Sequence, residues 1–118
     1  MKIVIAGSRT ITNYDVVKSA IEQSGWLNDI TMIVSGCAKG VDTIALEYAN
    51  DFDINTATFP ANWEKHGKSA GYIRNVEMAQ YGNKLIAIQK EESPGTAHMI
   101  KTMARLNKPI FLIRYNHF

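Results

Sequence analysis

Residues 31–48 combine three patterns that together restrict the possible fold more than any other part of the chain. A β-rich run, TMIV, precedes the glycine-bearing loop SGCAKG, and apolar residues then follow at positions 41, 44, 45 and 48. This last spacing is typical of one face of a helix. The stretch therefore predicts a strand, a short loop and a helix in direct succession.

The loop between this strand and helix has features of an anion site. Its backbone N–H groups and the helix N-terminus favour a bound anion, usually a phosphate. Gly36 and Gly40 let the backbone approach the anion closely, and Lys39 adds a mobile positive charge. The alternative is an ordinary strand-to-helix turn that contains two glycines. The candidate ligand-binding residues here are Ser35, Gly36, Cys37, Ala38, Lys39, Gly40 and Asp42.

Strand and helix patterns alternate along the whole chain. Apolar runs at residues 2–6, 31–34, 54–59, 84–89 and 110–113 predict five strands, and four helical patterns separate them. Right-handed crossovers between the strands give a parallel sheet with helices on both faces. We therefore expect a single Rossmann-like α/β domain over residues 1–118, with a doubly wound sheet in the order 3-2-1-4-5.

The helical patterns also predict caps and buried faces. Thr12 or Asn13 is expected to cap the first helix, and Gly25 to follow its end. Residues 61–69 are predicted to be irregular, with Ser69 capping a third helix over residues 70–81. The side chains predicted to face inward from the last two helices are Ile73, Val76, Ala79, Met99, Met103 and Leu106.

Three loops of similar character follow strands that are neighbours in this sheet order. Besides residues 36–40, they are the first loop at residues 7–9 and a loop at residues 90–96. Ligands of doubly wound sheets bind beyond the carboxyl ends of the strands, so these loops are expected to meet in one crevice. The predicted ligand is phosphorylated, most simply a nucleotide. The first and third loops add the candidate residues Gly7, Ser8, Arg9, Pro94, Gly95 and Thr96.

Composition restricts the class of protein. Of its residues 46% are hydrophobic and 20% charged, and the net charge of +2 is too small to indicate a nucleic-acid partner. A single cysteine excludes an internal disulfide and fits a reducing compartment. No run of about 20 apolar residues indicates a membrane span, and Met1 leads directly into a strand pattern. We expect a cytoplasmic protein without a cofactor, and no His, Cys or carboxylate set has metal-ligand spacing.

Several of these motifs resemble a known superfamily. Residues 34–45, VSGCAKGVDTIA, closely resemble the nucleotide-site motif of the DprA-like DNA-processing proteins. The closest resemblance is to the small YspA-like branch of the SLOG superfamily of Rossmann-like domains, found in bacteria and their phages. Its pattern of GSR-T/I, SGxAxGVD, AGxxRN and a final GT pair matches residues 7–11, 35–42, 70–75 and 95–96. The resemblance covers nearly the whole chain and implies self-association into a homo-oligomer.

The same residues are similar to the LOG phosphoribohydrolases, which belong to this superfamily. Arg74, which Asn75 follows in the AGxxRN motif, matches the active-site arginine of those enzymes. Their catalytic glutamate stands three residues after the threonine of the Gly-Thr pair, where this chain has Met99. A thioether cannot act as a general base. The resemblance therefore favours a binding protein over an enzyme.

Three functions remain as alternatives. The favoured hypothesis is a module that senses or sequesters a nucleotide or a nucleotide-derived ligand. The second is a nucleotide N-glycosidase like the LOG enzymes, in which Glu77 or Asp42 would replace the missing glutamate beside Arg74. The third is single-stranded DNA binding, implied by the resemblance to the DprA-like proteins.

Individual residues of the predicted site also have structural alternatives. Arg9 is a phosphate clamp or a solvated loop residue, and Arg74 reaches the crevice or pairs with Glu77 on the helix surface. Asp42 accepts hydrogen bonds from loop amides or from a ribose hydroxyl, and Thr96 caps a helix or binds phosphate. Trp63, with His66 in the same segment, either stacks on a base or packs against the protein.

Overall fold

The sheet has the predicted topology. A computed structural model describes residues 1–90 and 93–115 of the chain. Within these ranges the strands are β1 (Lys2–Gly7), β2 (Met32–Ser35), β3 (Asn55–Thr58), β4 (Lys84–Gln89) and β5 (Ile110–Arg114). All neighbouring pairs are parallel, and the order is β3-β2-β1-β4-β5. The direction of winding reverses between β1 and β4, which places the switch point of the fold at the carboxyl ends of these two strands.

The helices number one more than the sequence predicts. In the described part of the chain they are α1 (Tyr14–Gln23), α2 (Val41–Asp51), α3 (Trp63–His66), α4 (Ala70–Tyr81) and α5 (Pro94–Arg105). None of them is long and apolar enough to cross a bilayer. The prediction of an irregular segment at residues 61–69 is wrong, because α3 and a 3₁₀ turn, Gly67–Ser69, occupy it. Asn62 begins α3 by accepting a hydrogen bond from the amide of Lys65 at 3.0 Å.

Helices cover both faces of the sheet. An apolar cluster lies between each face of the sheet and its helices. Ile3 and Ile5 of β1 belong to the cluster that packs against α1 and α2, whereas Val4 and Ala6 belong to the cluster that packs against α4 and α5. This division follows from the two-residue period of a strand, whose successive side chains point to opposite faces. The apolar runs of the central strands are buried on both sides, as expected for a parallel sheet.

The predicted buried faces are confirmed for the first half of the chain and partly wrong for the second. The apolar positions 41, 44, 45 and 48 of α2 are all buried. In α4, however, Ile73 and Val76 are 38% and 37% exposed, because that helix turns Asn75 and Met78 inward instead. Leu106 is 42% exposed, since it lies just beyond the end of α5. Of the other predicted inward residues, Ala79, Met99 and Met103 are buried.

Two of the predicted caps are confirmed and one is wrong. The side chain of Asn13 accepts the amide of Asp15 at 2.9 Å at the start of α1. Gly25, just past the end of that helix, has φ +77°, a conformation that glycine adopts without strain. Ser69 makes no side-chain capping bond, because the 3₁₀ turn runs directly into α4 and leaves Ser69 with helical backbone angles.

The C-terminal end of α4 is held by a lysine from a distant loop. Lys108 Nζ donates to the carbonyls of Ala79 at 2.6 Å, Gln80 at 3.1 Å and Gly82 at 2.7 Å. A cation at this end of a helix also interacts favourably with the helix dipole.

We expect Lys108→Met to lower the free energy of unfolding by about 1–3 kcal/mol in urea titrations. Lys101→Met, which changes an exposed lysine of α5, should cost little; equal losses would contradict the assignment.

Candidate functional site

The three predicted loops meet in one crevice. It lies over the carboxyl ends of the strands, has a volume of about 590 Å³ and is lined by residues of all three loops. This volume falls within the range of small-molecule sites. Glu91 and Glu92, in the third loop, lie outside the described residues. The predicted site residues that line the crevice are Gly7, Arg9, Gly36, Cys37, Ala38, Lys39, Asp42, Arg74, Asn75, Pro94, Gly95 and Thr96.

Ser8 is a predicted ligand residue that does not line the crevice. It is fully buried and connects the loops instead. Its amide donates to Ile88 O at 3.0 Å, and its carbonyl accepts the amide of Val41 at the start of α2 at 3.4 Å. Its Oγ accepts the amide of Lys90 in the third loop at 2.9 Å. Ser8 therefore holds the first loop against both of the others.

Ser35 and Gly40 are also placed behind the lining of the crevice. Ser35 Oγ donates to the carbonyl of Asp42 at 2.9 Å and accepts the amide of Cys37 at 3.2 Å. Gly40 has φ +76°, and a Cβ on it would lie 2.5 Å from the carbonyl oxygen of Ser8. Both residues therefore fix the shape of the second loop and its contact with the first.

Asp42 lies at the start of α2 and lines the crevice, although it is only 6% exposed. Its Oδ2 accepts the amide of Ala38 at 3.3 Å, which is the structural role considered for it from the sequence. Burial raises the pKa of Asp42 to about 6, while the amides of Ala38 and Gly7 and the charges of Arg74 and Arg9 act in the opposite direction. Among the described residues it is the one carboxylate in the lining.

Arg74 crosses the crevice from α4 to the ends of two strands. Its Nη1 donates to the carbonyl of Gly36 after β2 and to that of Phe59 after β3, the latter at 3.3 Å. Its Nε donates to Asn75 Oδ1 at 3.1 Å. A guanidinium has five N–H groups, and the two on Nη2 have no partner among residues 1–90 and 93–115. Arg74 thus braces the site and keeps two donors for a ligand.

Gly36 leaves the room that this arrangement needs. A Cβ on Gly36 would overlap the guanidinium of Arg74 and would lie 3.0 Å from Asp42 Oδ2. The cation and the carboxylate therefore both lie close to the place that a side chain at position 36 would occupy, and only glycine fits there. This is the close approach that the glycine was predicted to allow, although here the protein's own side chains use part of it.

Asn75 connects α4 to the third loop. It is 5% exposed, and its Nδ2 donates to Gly95 O at 3.1 Å and lies 3.3 Å from His98 Nδ1. Burial lowers the pKa of His98, and the nearby Arg105 and Lys101 add to the effect. A neutral imidazole can accept the Asn75 amide, so this contact fixes the N-terminal end of α5 beside the crevice.

Ser93, which the sequence did not single out, caps α5. Its Oγ accepts the amide of Thr96 at 3.5 Å and the hydroxyl of Thr96 at 3.2 Å. Thr96 is 4% exposed, so its hydroxyl is engaged by the protein rather than open to a ligand. A Cβ on Gly95 would meet no atom within 4 Å, which leaves the first turn of α5 accessible from the crevice.

The segment after β3 forms one wall of the crevice. This wall was not predicted from the sequence, because the segment has no glycine pair. Since β3 ends at the same edge of the sheet as its neighbours, the chain that leaves it also passes the crevice. Trp63 lines the site, whereas His66 of the same segment does not. The lining residues that were not predicted are Ala6, Pro60, Ala61, Lys68, Gly71, Tyr72, Met78, Ser93 and Met99.

The lining is strongly positive. Arg9, Lys39, Lys68 and Arg74 contribute four cations, against the single carboxylate noted above. Arg9, Lys39 and Lys68 are exposed, and within the described part of the chain their side chains form no hydrogen bond or ion pair. The whole chain carries a net charge of only +2, so its positive excess is concentrated at this site.

Two of the positions considered for a catalytic role, Met99 and Glu77, differ in their relation to the crevice. Met99, at the position of the LOG glutamate, is 1% exposed and lines the crevice. Glu77 is exposed and does not line it, because it precedes the inward-facing Met78 by about 100° around α4. In the described residues, no group of three His, Cys, Asp or Glu side chains is placed to hold a metal ion.

Solved structures share this fold. DNA processing protein A (DprA) of Streptococcus pneumoniae superposes with a TM-score of 0.74 at 20% identity, over 94% of this chain and 49% of that one. DNA processing protein A of Helicobacter pylori, whose structure was described for its single-stranded DNA binding mode, superposes with a TM-score of 0.69 at 21% identity. That match covers 99% of this chain and 67% of the other. The chain thus spans about half of the first protein and two thirds of the second.

Sequence comparison identifies a relative of similar size and a family. The Gene 61 protein of Mycobacterium phage D29 is 29% identical over 119 residues, which cover 92% of this chain and 93% of the phage protein. Residues 1–66 match the YAcAr family, described as the YspA, cpYpsA-related SLOG family. This match includes the first two loops of the site and more than half of the chain. The chain therefore belongs to the YspA, cpYpsA-related SLOG family.

Proposed function

We propose that the protein binds a nucleotide or a nucleotide-derived phosphorylated ligand in the crevice, and so senses or sequesters it. The observation that carries this proposal is the meeting of three loops and four cationic side chains around one cavity, in which the described residues contribute a single carboxylate. An uncompensated positive cluster inside a concave site favours an anionic ligand. The volume of about 590 Å³ accommodates a small molecule.

The donors open to the ligand are those that the protein leaves unused. Arg74 Nη2 has two N–H groups. Arg9 and Lys39 line the crevice and form no hydrogen bond or ion pair within the described residues, and Gly95 lies in the first turn of α5, where amides lack intrahelical acceptors. Charge-assisted hydrogen bonds from such groups to phosphate are about twice as strong as neutral ones. Met99 supports binding without hydrolysis, since it offers no proton-transfer group at the position of the LOG glutamate.

Titration calorimetry against nucleoside monophosphates, diphosphates and cyclic nucleotides tests the proposal. We expect at least one of these classes to bind, and the double variant Arg9→Ala/Lys39→Ala to bind it about tenfold more weakly or worse. Lys101→Ala, which removes one positive charge outside the crevice, should bind as the wild type does. No binding of any class, or equal weakening by both variants, would contradict a phosphate site in the crevice.

A second candidate function is N-glycosidic cleavage of a nucleoside monophosphate, and Asp42 is the observation that favours it. Its pKa near 6 is suited to proton transfer close to neutral pH. Among the residues that the structure describes, Asp42 is also the one carboxylate that lines the crevice. Incubation with nucleotides, followed by chromatography of the free base, tests this candidate. Base release by the wild type and none by Asp42→Asn would support it, and no release by the wild type would remove it.

Single-stranded DNA binding is a third candidate, favoured by the fold shared with the Helicobacter pylori protein and by the exposed cations Arg9, Lys39 and Lys68 that line the crevice. Binding of oligonucleotides through phosphates loses affinity steeply as salt rises. We expect the small-molecule site to dominate, so that fluorescence anisotropy detects little binding of a labelled oligonucleotide at moderate salt. Tight, strongly salt-dependent binding that mononucleotides fail to displace would favour the third candidate over the first.

A further inference from the structure

Two aromatic side chains stand exposed at the rim of the crevice. Trp63 is 60% exposed and Tyr72 is 47% exposed, whereas Met78 and Met99 on the floor are 1% exposed. Burying a large aromatic ring stabilises a protein, so leaving two of them in water at the mouth of one cavity needs a reason. The neighbouring exposed residue Ile73 does not line the crevice and serves as a comparison.

Both rings approach other parts of the protein. The Tyr72 ring lies against the imidazole of His98, with centroids 4.5 Å apart and planes inclined by 43°. The Trp63 ring reaches the first turn of α4 at Gly71, where its Cη2 is 3.5 Å from the position that a Cβ would take. The contact with His98 restricts the Tyr72 ring, and a restricted ring loses little conformational freedom when a ligand stacks on it.

The polar groups of this rim are also available. Within the described residues, neither Trp63 Nε1 nor Tyr72 Oη makes a hydrogen bond to the protein, and Lys68 beside them is unpaired. The rim therefore combines flat apolar surface with hydrogen-bond donors. A nucleobase matches both properties, since it has two π faces and a polar edge.

We infer that Trp63 and Tyr72 form a nucleobase subsite, so that a ligand binds with its base at the rim and its phosphate against the glycine loops. This inference rests on the proposed function and narrows it: the ligand is a nucleotide, rather than a phosphorylated sugar or pyrophosphate. The base supplies affinity through stacking, and Trp63, the more exposed ring, supplies the larger part.

Calorimetry with a nucleoside monophosphate and with ribose 5-phosphate measures how much the base adds to the affinity of the sugar phosphate. We expect the wild type to bind the nucleotide more tightly, and Trp63→Ala to weaken nucleotide binding by about ten- to a hundredfold. The same variant should leave ribose 5-phosphate binding unchanged. Trp63→Phe should retain most of the nucleotide affinity, and Ile73→Ala all of it. Thermal unfolding of each variant confirms that the fold is intact.

Each other outcome has a defined meaning. Equal affinity of the wild type for nucleotide and ribose 5-phosphate, or unchanged nucleotide binding by Trp63→Ala, overturns the subsite and leaves the phosphate site standing. A change in sedimentation on Trp63→Ala, without a change in nucleotide affinity, assigns the ring to contact between copies of the chain and also overturns the subsite. Failure of ribose 5-phosphate and of every nucleotide class to bind the wild type overturns the proposed function and this inference together.

Discussion

Gly40→Ala is expected to lower the free energy of unfolding by about 3 kcal/mol or more and to abolish ligand binding. Gly40 has φ +76° and ψ −128°, a region that is essentially restricted to glycine. A Cβ there would also lie 2.5 Å from the carbonyl oxygen of Ser8 and 2.7 Å from the Cα of Arg9. Because these are backbone atoms, the first and second loops would have to move apart.

Gly67→Ala is the matched control for this prediction. Gly67 has φ +56° and ψ −132°, close to the angles of Gly40, but no atom lies within 4 Å of the position of its Cβ. Its replacement therefore adds the backbone strain without the collision. In urea titrations Gly40→Ala should lose clearly more stability than Gly67→Ala. Equal losses would show that the contact between the two loops contributes nothing.

Asp42→Asn is expected to gain stability relative to the wild type as the pH rises. The pKa of Asp42 is raised in the folded protein to about 6, so the folded state binds a proton more tightly than the unfolded chain does. The wild type therefore loses stability between about pH 4 and pH 6 through this group, and asparagine cannot ionise. At pH 7 the cost of the buried charge amounts to about 3 kcal/mol.

Unfolding in urea at stepped pH measures this effect as a difference between the two proteins. Other groups titrate alike in both, so the difference should widen from about pH 4 and level off above about pH 6. A difference between Asp42→Asn and the wild type that stays constant over this pH range would mean that Asp42 ionises as easily in the folded protein as in the unfolded chain.

The fold could be predicted because β1 and β4 are compact apolar runs, strand and helix patterns alternate, and crossovers between parallel strands are right-handed. The strands at residues 2–6 and 84–89 are buried on both faces of the sheet. Their prediction therefore does not depend on an alternation of polar and apolar residues. In α4 the same method failed at Ile73 and Val76. That helix turns Arg74 towards the crevice and Asn75 into the interior, so a rule that apolar side chains face inward selects the wrong face.

The site could be predicted as a set of loops but not as a set of contacts. Glycine corners after strand ends, visible in the sequence, indicate where the crevice lies. Whether a serine faces the ligand or the loop depends on single hydrogen bonds, and Ser8 and Ser35 form theirs with the protein. Of the residues that line the crevice from the segment after β3, only Trp63 was considered from the sequence as a contact to a ligand. Self-association, implied by the resemblance alone, stays a prediction.

The most direct test of a ligand in the crevice uses the single cysteine of the chain. Cys37 is exposed and lines the site, so an alkylating reagent followed by intact-protein mass spectrometry reports whether the crevice is occupied. We expect the bound nucleotide to slow alkylation in a saturable manner, the matching nucleoside without phosphate to have no such effect, and Arg9→Ala/Lys39→Ala to require more nucleotide. An alkylation rate that is the same with and without saturating amounts of every nucleotide class would contradict a nucleotide site in this crevice.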